Sequence, residues 1–177
     1  AAIGGWGHFV KPVMKVFVKP NLLADTFPEA AVTTHPEFLR AVLRCLKTCG
    51  VKIRVGDSPA AATDLQAVWQ KTGVLAVCEE EQVPLVNLEA AGMTVLERDG
   101  FRFGIAKPIL EADLIVNLPK IKSHSLTLLT AAVKNFYGAI PGFQKTQLHK
   151  EYPQRQMFGR LIRTVAQCMP QSLNLAD

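Results

Sequence analysis

The chain has 177 residues, of which 49% are hydrophobic and 20% charged, and its formal net charge is +5. This length suits one domain, and the composition is typical of a globular protein, which excludes an intrinsically disordered chain. The longest apolar runs are far shorter than the roughly 20 residues of a membrane-spanning helix, and no secretory leader is recognisable, so we predict a cytoplasmic protein without a membrane segment.

A strand and a long helix are predicted near the start of the chain. Residues 15–19, "KVFVK", have the apolar character of a buried strand, which ends at Pro20. In the following stretch, "TTHPEFLRAVLRCLKTCG", apolar residues recur at helical spacing. Thr34 is the predicted N-cap, and Glu37, three residues later, would complete a capping box. Gly50 provides the C-terminal stop of this helix.

Three more strands, two short helices and a hairpin are predicted next. The segment "VKIRVGDS" predicts a second strand, and two short helices separated near Gly73 lead to a third strand, "VPLVNLE". In "MTVLERDGFRFGI", Asp99 and Gly100 are a favoured two-residue turn between apolar runs, which predicts a β-hairpin. A short helical turn then precedes "DLIVNLP", the fourth predicted core strand.

The last third of the chain is predicted to be helical. Apolar residues recur at helical spacing from Leu126 to Phe136, with Ser123 or Ser125 as the N-cap, and a final helix is predicted to begin near Pro153. Strands that alternate with helices in this way predict an α/β fold. We expect a Rossmann-like, mainly parallel sheet with helices on both faces and an inserted β-hairpin, and one such domain over residues 1–177 of a longer chain.

Positive charge is concentrated in the C-terminal third. Residues 117–176 contain eight Lys or Arg and a single acid, Glu151, which indicates an anionic partner. In "PKIKSH", an extended backbone would place Lys120, Lys122 and His124 on one side, next to the start of the predicted helix. Free N–H groups at a helix N-terminus attract anions, so this stretch predicts an anion clamp; a solvated basic face is the equally weighted alternative.

Polar side chains follow each of the four predicted core strands. Because ligands bind outside the carboxyl ends of the strands in such sheets, we expect these side chains to line one cleft. Lys134 would lie farther along the following helix and Lys145 well away from the cleft. The predicted cleft residues are Lys19, Asn21, Asp57, Ser58, Asn117, Lys120, Lys122 and His124.

His124 and Asp57 are the candidate acid–base pair for catalysis. Flanking lysines would lower the pKa of His124 and leave it neutral, which would make it a competent base. A His beside a helix start also commonly serves as a capping or packing residue, and that alternative stays open.

The four cysteines give no predicted metal site. Cys45 and Cys49 are four residues apart on a predicted helix and could form half of a zinc site. No second pair with metal-ligand spacing follows, so buried thiols are the favoured interpretation. The closely spaced cysteines of an iron–sulfur motif do not occur in the sequence.

Several segments together resemble a known family. The stretches "VFVKPNLL", "IRVGDSP", "ADLIVNLPKIKSH" and "AAVKNFYGAIPG" are similar to the domain of unknown function 362 family. Many of its members carry a ferredoxin-like module beside this domain and are described as iron–sulfur proteins. The resemblance implies a cluster only in such a separate module, so the cofactor of this chain stays unknown. The recurring positions of the family fall on the predicted cleft residues. They also fall on Lys134, Asn135 and Gly138.

The same family is distantly similar to the N-terminal part of the nickel-dependent lactate racemase group, a Rossmann-like arrangement. That similarity concerns the fold and implies no shared reaction.

Three functions remain open at this point. The first is an enzyme domain that binds a small anionic substrate, a carboxylate or a phosphorylated metabolite, with Lys120, Lys122 and Lys134 holding the anion and Asn21 and Asn117 orienting it. The second is a redox-associated module whose basic half docks a ferredoxin-like iron–sulfur domain, in cis or in trans. The third is a nucleic-acid-binding surface, which ranks last because the aromatic residues lack the spacing of a stacking platform.

Overall fold

The protein was analysed as a computed structural model that describes residues 4–59, 64–124 and 126–177. The α-helices and strands within these ranges are, in chain order, β1 (Lys15–Pro20), α1 (Pro36–Lys47), β2 (Lys52–Val55), α2 (Leu65–Lys71), α3 (Val74–Glu80), β3 (Met93–Arg98), β4 (Phe101–Ala106), α4 (Lys107–Leu110), β5 (Leu114–Leu118), β6 (Lys122–His124), β7 (Leu128–Thr130), α5 (Ala132–Asn135), α6 (Gln144–Glu151), α7 (Arg155–Gln167) and β8 (Ser172–Asn174). Short 3-10 turns lie at Trp6–His8, Pro28–Ala30 and Phe136–Ala139.

The central sheet has four parallel strands in the order β2–β1–β5–β8. In the two central pairings, Val16 lies opposite Ile53 of β2 and Leu114 of β5. All four strands therefore end at the same edge of the sheet, and the loops that leave that edge lie side by side. The predicted α/β class is confirmed.

The two faces of the sheet bury separate cores because successive strand residues point to opposite sides. Val16 and Val18 of β1 pack on the side covered by α1, α2 and α3, where Leu43 is fully buried. Phe17, between them, packs on the other side with Phe103 of the hairpin and residues of α7. The sheet thus lies between a helical layer and a mixed layer of hairpin and helix.

The β3–β4 hairpin forms as the sequence predicts. Its six residue pairs run from Met93 opposite Ala106 to Arg98 opposite Phe101, outside the main sheet. Asp99 and Gly100 have φ angles of 52° and 81°. Positive φ at both turn positions is the signature of a type I′ turn, which matches the twist of a hairpin.

The predicted third strand is largely absent. Leu85 makes only an isolated parallel bridge with Val55. Pro84 has no N–H to extend the ladder, and the side chain of Asn87 accepts hydrogen bonds from the N–H groups of Glu89 and Ala90 at 2.9 and 3.2 Å, which turns the chain away. The fourth strand of the sheet is instead β8, which the sequence analysis did not predict.

The predicted long helix after His124 is wrong. Strand β6 turns back and pairs with β7 in an antiparallel hairpin, with Lys122 opposite Thr130. His124 Nδ1 accepts hydrogen bonds from the N–H groups of Leu126 and Thr127 at 3.1 and 3.2 Å, so these groups are committed to a turn. Helix begins only at Ala132 and lasts four residues. The predicted anion site on a Ser-capped helix start therefore does not exist: Ser123 lies in β6, and Ser125 lies outside the described residues.

The cap of α1 also differs from the prediction. His35 is the N-cap, and its Nδ1 accepts from the N–H of Glu37 at 3.2 Å. Thr34 is buried, and its hydroxyl instead accepts from the N–H of Asn21 at 2.8 Å and donates to the carbonyl of Leu118 at 2.7 Å. This threonine joins the exits of β1 and β5.

The final predicted helix is present as α7 and begins two residues after Pro153. Helix α6, which precedes it, was not predicted. In the part of the chain that the structure describes, no helix is long and apolar enough to cross a membrane.

Candidate functional site

A cavity of about 320 Å³ opens at the edge where the parallel strands end. Its walls come from the loops after β1 and β2, from the end of β6, from α5 and the 3-10 turn that follows it, and from α6. The lining residues are Asn21, Leu22, Leu23, Asp57, Ser58, Pro59, His124, Lys134, Asn135, Tyr137, Gly138, Lys145, Thr146 and His149.

A second cavity of about 380 Å³ lies around the beginnings of β1 and β2, beside Lys15, Lys52 and Glu111. None of the residues predicted from the strand exits lines it. The strand-exit cavity, where buried titratable groups converge, is therefore the candidate site.

A buried ion pair forms the floor of this cavity. Lys19 is fully buried and donates from Nζ to Asp57 Oδ1 at 2.5 Å. The other oxygen of Asp57 accepts from the N–H of Leu22 at 2.7 Å. Burial lowers the pKa of Lys19 and raises the pKa of Asp57, and the contact between the two side chains opposes both shifts. Both residues are thus engaged within the protein.

Gly138 lies directly against this ion pair. A Cβ atom at this position would overlap Asp57 Oδ1 and would be 2.8 Å from Lys19 Nζ. The carbonyl of Gly138 also accepts from the N–H of Ser58 at 3.1 Å. The close approach of the backbone to the ion pair explains why a glycine is found here.

A chain of asparagine side chains connects the strand exits. Asn21 donates to Asn135 at 3.0 Å, Asn135 donates to Asn117 at 2.7 Å, and Asn117 donates to Asn174 at 2.8 Å. Asn117 is fully buried and also donates to the carbonyl of Ala132. Its predicted role of orienting a substrate does not fit this position, because its amide is used inside the protein.

Lys145 lies in the cavity wall, contrary to the prediction that it is distant. Its ammonium donates to the carbonyl and the hydroxyl of Ser58, at 2.7 and 2.6 Å, and to the carbonyl of Pro59. Ser58 in turn contacts Glu89 Oε1 through its hydroxyl at 3.2 Å. Burial lowers the pKa of Lys145 to about 8.

Lys120 and Lys122, which follow β5, bind different partners. Lys120 is not among the lining residues and pairs with Asp177 at 3.0 Å, so its predicted place in the cleft is wrong. Lys122 donates to Asn21 Oδ1 at 2.8 Å and to the carbonyl of Val32. Burial and the neighbouring Lys134 lower the pKa of Lys122 to about 8. Lys122 therefore lies behind the cavity wall, where its charge can influence the cavity without direct contact.

His124 lines the cavity in a defined tautomer. Because Nδ1 accepts the two backbone hydrogen bonds that form the β6–β7 turn, the proton of the neutral ring is on Nε2. Burial, followed by the charges of Lys134 and His149, lowers the pKa of His124 and keeps it neutral. The ring can thus donate a hydrogen bond from Nε2.

Lys134 differs from the other lysines of the cavity in the contacts of its amine. It is half-buried, and among the residues that the structure describes it has no hydrogen-bond or ion-pair partner. Burial and the nearby Lys19 lower the pKa of Lys134, and Asp57 opposes this shift. Its position supplies an unpaired amine to the cavity.

Lys145, Tyr137 and His149 were missed by the sequence analysis. The ring of His149 stacks on Phe158 with centroids 4.2 Å apart and meets the edge of Tyr137 at 5.4 Å. Burial, followed by Lys134, lowers the pKa of His149. Lys145 and His149 are four residues apart on α6, so helical spacing would have placed them on one face had the helix been predicted.

Within the described ranges, no three His, Cys, Asp or Glu side chains converge in a way that could hold a metal ion.

Comparison with known proteins identifies the family. Residues 16–177 match the family described as Domain of unknown function (DUF362). The chain belongs to this family. A thylakoid-associated protein, sll1697, from Synechocystis sp. is 33% identical over 99% of the chain. The match covers 54% of that protein, so this DUF362 chain spans about half the length of its curated relative.

Two solved structures share the fold of this DUF362 domain. The lactate racemase apoprotein from Thermoanaerobacterium thermosaccharolyticum matches 94% of the chain with a TM-score of 0.57 and 20% identity. A protein from Thermotoga maritima matches 96% with a TM-score of 0.58 and 15% identity. The matches cover 43% and 48% of those proteins. At these identities the similarity concerns the fold alone.

Proposed function

We propose that this DUF362 domain is part of an enzyme and binds a small dianionic metabolite, a dicarboxylate or a phosphate ester, in the strand-exit cavity. The observation that carries the proposal is an excess of ammonium groups over carboxylates around the cavity. The place of the cavity, at the carboxyl ends of parallel strands, is the usual ligand site of such sheets.

The excess can be counted from the contacts. The ammonium groups at or just behind the wall belong to four lysines, Lys19, Lys122, Lys134 and Lys145. The carboxylates that interact with them are Asp57 and the exposed Glu89. Four cations against two anions leave a surplus of two positive charges. A ligand with two negative charges would neutralise this surplus in a site where water is partly excluded.

The geometry also supports a proposed division of roles among the residues. His124 and His149, whose pKa values are lowered by burial and then by the charge of Lys134, would contribute hydrogen bonds to the ligand. Asp57, whose two oxygens are bound by Lys19 and Leu22, would hold the floor in place rather than carry protons. Asn21, which is linked to both Lys122 and Asn135, would orient the ligand at the mouth.

The test is calorimetric titration of the full-length protein with succinate and with inorganic sulfate. Replacing Lys134 with Gln is expected to weaken binding of either dianion on the order of tenfold or more, because a charged hydrogen bond is worth about 1.5–3 kcal/mol. The control is Lys150→Gln, which removes an exposed charge from the same basic region and should change affinity little. Equal losses in both variants, abolished by added salt, would contradict the proposal in favour of a diffuse basic surface.

A pH titration tests the same site independently. Lys122 and Lys145, with pKa values of about 8, lose their charge in the folded protein as the pH rises from 7 to 9. Succinate and sulfate stay doubly charged over this range, so their affinity should fall steadily toward pH 9. Affinity that is constant or rises would mean that these two lysines do not contribute to binding.

A further inference from the structure

Four lysine side chains reach the strand-exit cavity or its wall, and the structure distinguishes them by what their nitrogen atoms do. Lys19 is bound to Asp57, and Lys122 to Asn21 and Val32. Lys145 uses all three of its donor positions on the oxygen atoms of Ser58 and Pro59. These three nitrogens are therefore occupied.

Lys134 differs because, within the described residues, its nitrogen has no such partner although the side chain is half-buried and lines the cavity. An amine that is partly desolvated and surrounded by other cations is held toward its neutral form, and the neutral form is the nucleophile. For Lys134 those cations include Lys19, whose charge lowers the pKa of Lys134. The charge of Lys134 in turn lowers the pKa values of Lys122 and Lys145. The Lys134 amine thus lines the cavity, has no partner within the described residues and is held toward its neutral form. These are the properties of a lysine that attacks a carbonyl group.

We propose that Lys134 forms a Schiff base with the carbonyl carbon of a dianionic oxo acid bound in the cavity. The inference rests on the proposed anion site, in which the positive charges of Lys122 and Lys145 would attract the carboxylates of the ligand from the cavity wall and from behind it, without a direct hydrogen bond. It adds a covalent step and a substrate class, a small dicarboxylate that carries a keto group.

The step balances without any further reactant. The lone pair of Lys134 Nζ forms a bond to the carbonyl carbon, and the π electrons of the C=O bond move to its oxygen, which takes a proton from the nitrogen. The C–O bond of this carbinolamine then breaks, the oxygen leaves as water with the remaining proton of the nitrogen, and the nitrogen electron pair forms the C=N bond. The N–H of His124 is placed in the same cavity to donate a hydrogen bond to that oxygen.

The test is reductive trapping on the full-length protein. The protein is incubated with 2-oxoglutarate and sodium cyanoborohydride, which reduces an imine to a stable secondary amine, and the modified lysine is located by peptide mass spectrometry. Burial and the charge of Lys19 lower the pKa of Lys134 and favour its neutral amine, so labelling of Lys134 should exceed that of the exposed Lys150 several-fold. Saturating succinate should suppress the label on Lys134 and leave that on Lys150 unchanged.

The matched variant is Lys134→Arg, which keeps the positive charge but has no nucleophilic amine. It should lose the succinate-sensitive label while recovering part of the succinate affinity that the Lys134→Gln variant loses, because the charge is retained. Pyruvate, with one carboxylate, should label Lys134 more slowly than 2-oxoglutarate.

The outcomes separate the two proposals. Succinate binding without preferential labelling of Lys134, or a succinate-sensitive label that persists in the Lys134→Arg protein, would overturn the Schiff-base inference and leave the anion site standing. Absence of succinate and sulfate binding in the unmodified protein would overturn the proposed function itself, whatever the labelling pattern.

Discussion

Replacing Lys19 with Met should lower the free energy of unfolding by about 3–5 kcal/mol, the usual cost of removing one member of a buried ion pair. Lys19 is fully buried, and Asp57, its partner at 2.5 Å, is only 2% exposed. Without the lysine, the Asp57 carboxylate keeps a single hydrogen bond, from the N–H of Leu22. The variant should therefore unfold at a markedly lower urea concentration.

The loss should depend on pH in a predictable direction. Burial already raises the pKa of Asp57, and Lys19 is the largest influence that opposes this shift. In the Lys19→Met variant the folded pKa of Asp57 is expected to rise further above the unfolded value of about 3.9. The folded state then binds more protons than the unfolded state between these two values, so the stability of the variant should decrease as the pH rises through that window.

Two controls distinguish this mechanism from a general loss of packing. Lys15→Met removes an exposed lysine from the same strand and should change stability by about 0.5 kcal/mol or less. In the double variant Lys19→Met/Asp57→Asn the unpaired charge is gone, so part of the stability should return. If the losses of the two single variants simply add in the double variant, the ion pair is not the cause.

The parts of the fold that sequence predicts well are those whose local pattern and tertiary partners agree. The hairpin at Asp99 and Gly100 has both the turn residues and the apolar flanks that its geometry requires. Helix α1 has a continuous apolar face that includes the fully buried Leu39 and Leu43. In these segments the side-chain period and the buried face specify the same element.

The region from Lys122 to Thr130 shows where such reasoning fails. Leu126 and Leu129 have helical spacing, yet Leu129 is 55% exposed, so that spacing does not correspond to a buried face. Hydrogen bonds from two backbone N–H groups to His124 favour a turn instead, and the strands on either side pair with each other. A side chain that binds nearby backbone groups competes with helix formation, and helical spacing of apolar residues does not reveal this competition.

The residues of the candidate site are likewise only partly predictable from the sequence. The rule that strand exits converge at one edge brings together Asn21, Asp57 and Ser58 because it depends only on parallel topology. Lys145 could not be found by that rule, since it reaches the cavity from α6 and not from the loop that directly follows a strand. Lys120 follows β5 but points to a different partner, Asp177, which is 57 residues away along the chain.

Replacing Gly138 with Ala should destabilise the protein by about 1–3 kcal/mol or more, as overpacking of a filled core commonly does. The added methyl group would overlap Asp57 Oδ1 and crowd Lys19 Nζ at 2.8 Å. Neither atom can move aside freely, because Asp57 is held by both Lys19 and the N–H of Leu22. The 3-10 turn that carries Gly138 must therefore shift, together with its carbonyl hydrogen bond to the N–H of Ser58.

The matched control is Gly159→Ala in α7, where an added methyl group meets nothing within 4 Å. An alanine inside a helix is preferred over glycine by about 0.5–1 kcal/mol, so this variant should be more stable than the unmodified protein. The two substitutions add the same methyl group and should shift the urea midpoint in opposite directions. Displacement of the Gly138 turn should also weaken succinate binding, because the turn connects Lys134 to the cavity wall. A Gly138→Ala protein with unchanged stability and succinate affinity would show that the backbone does not press on the ion pair.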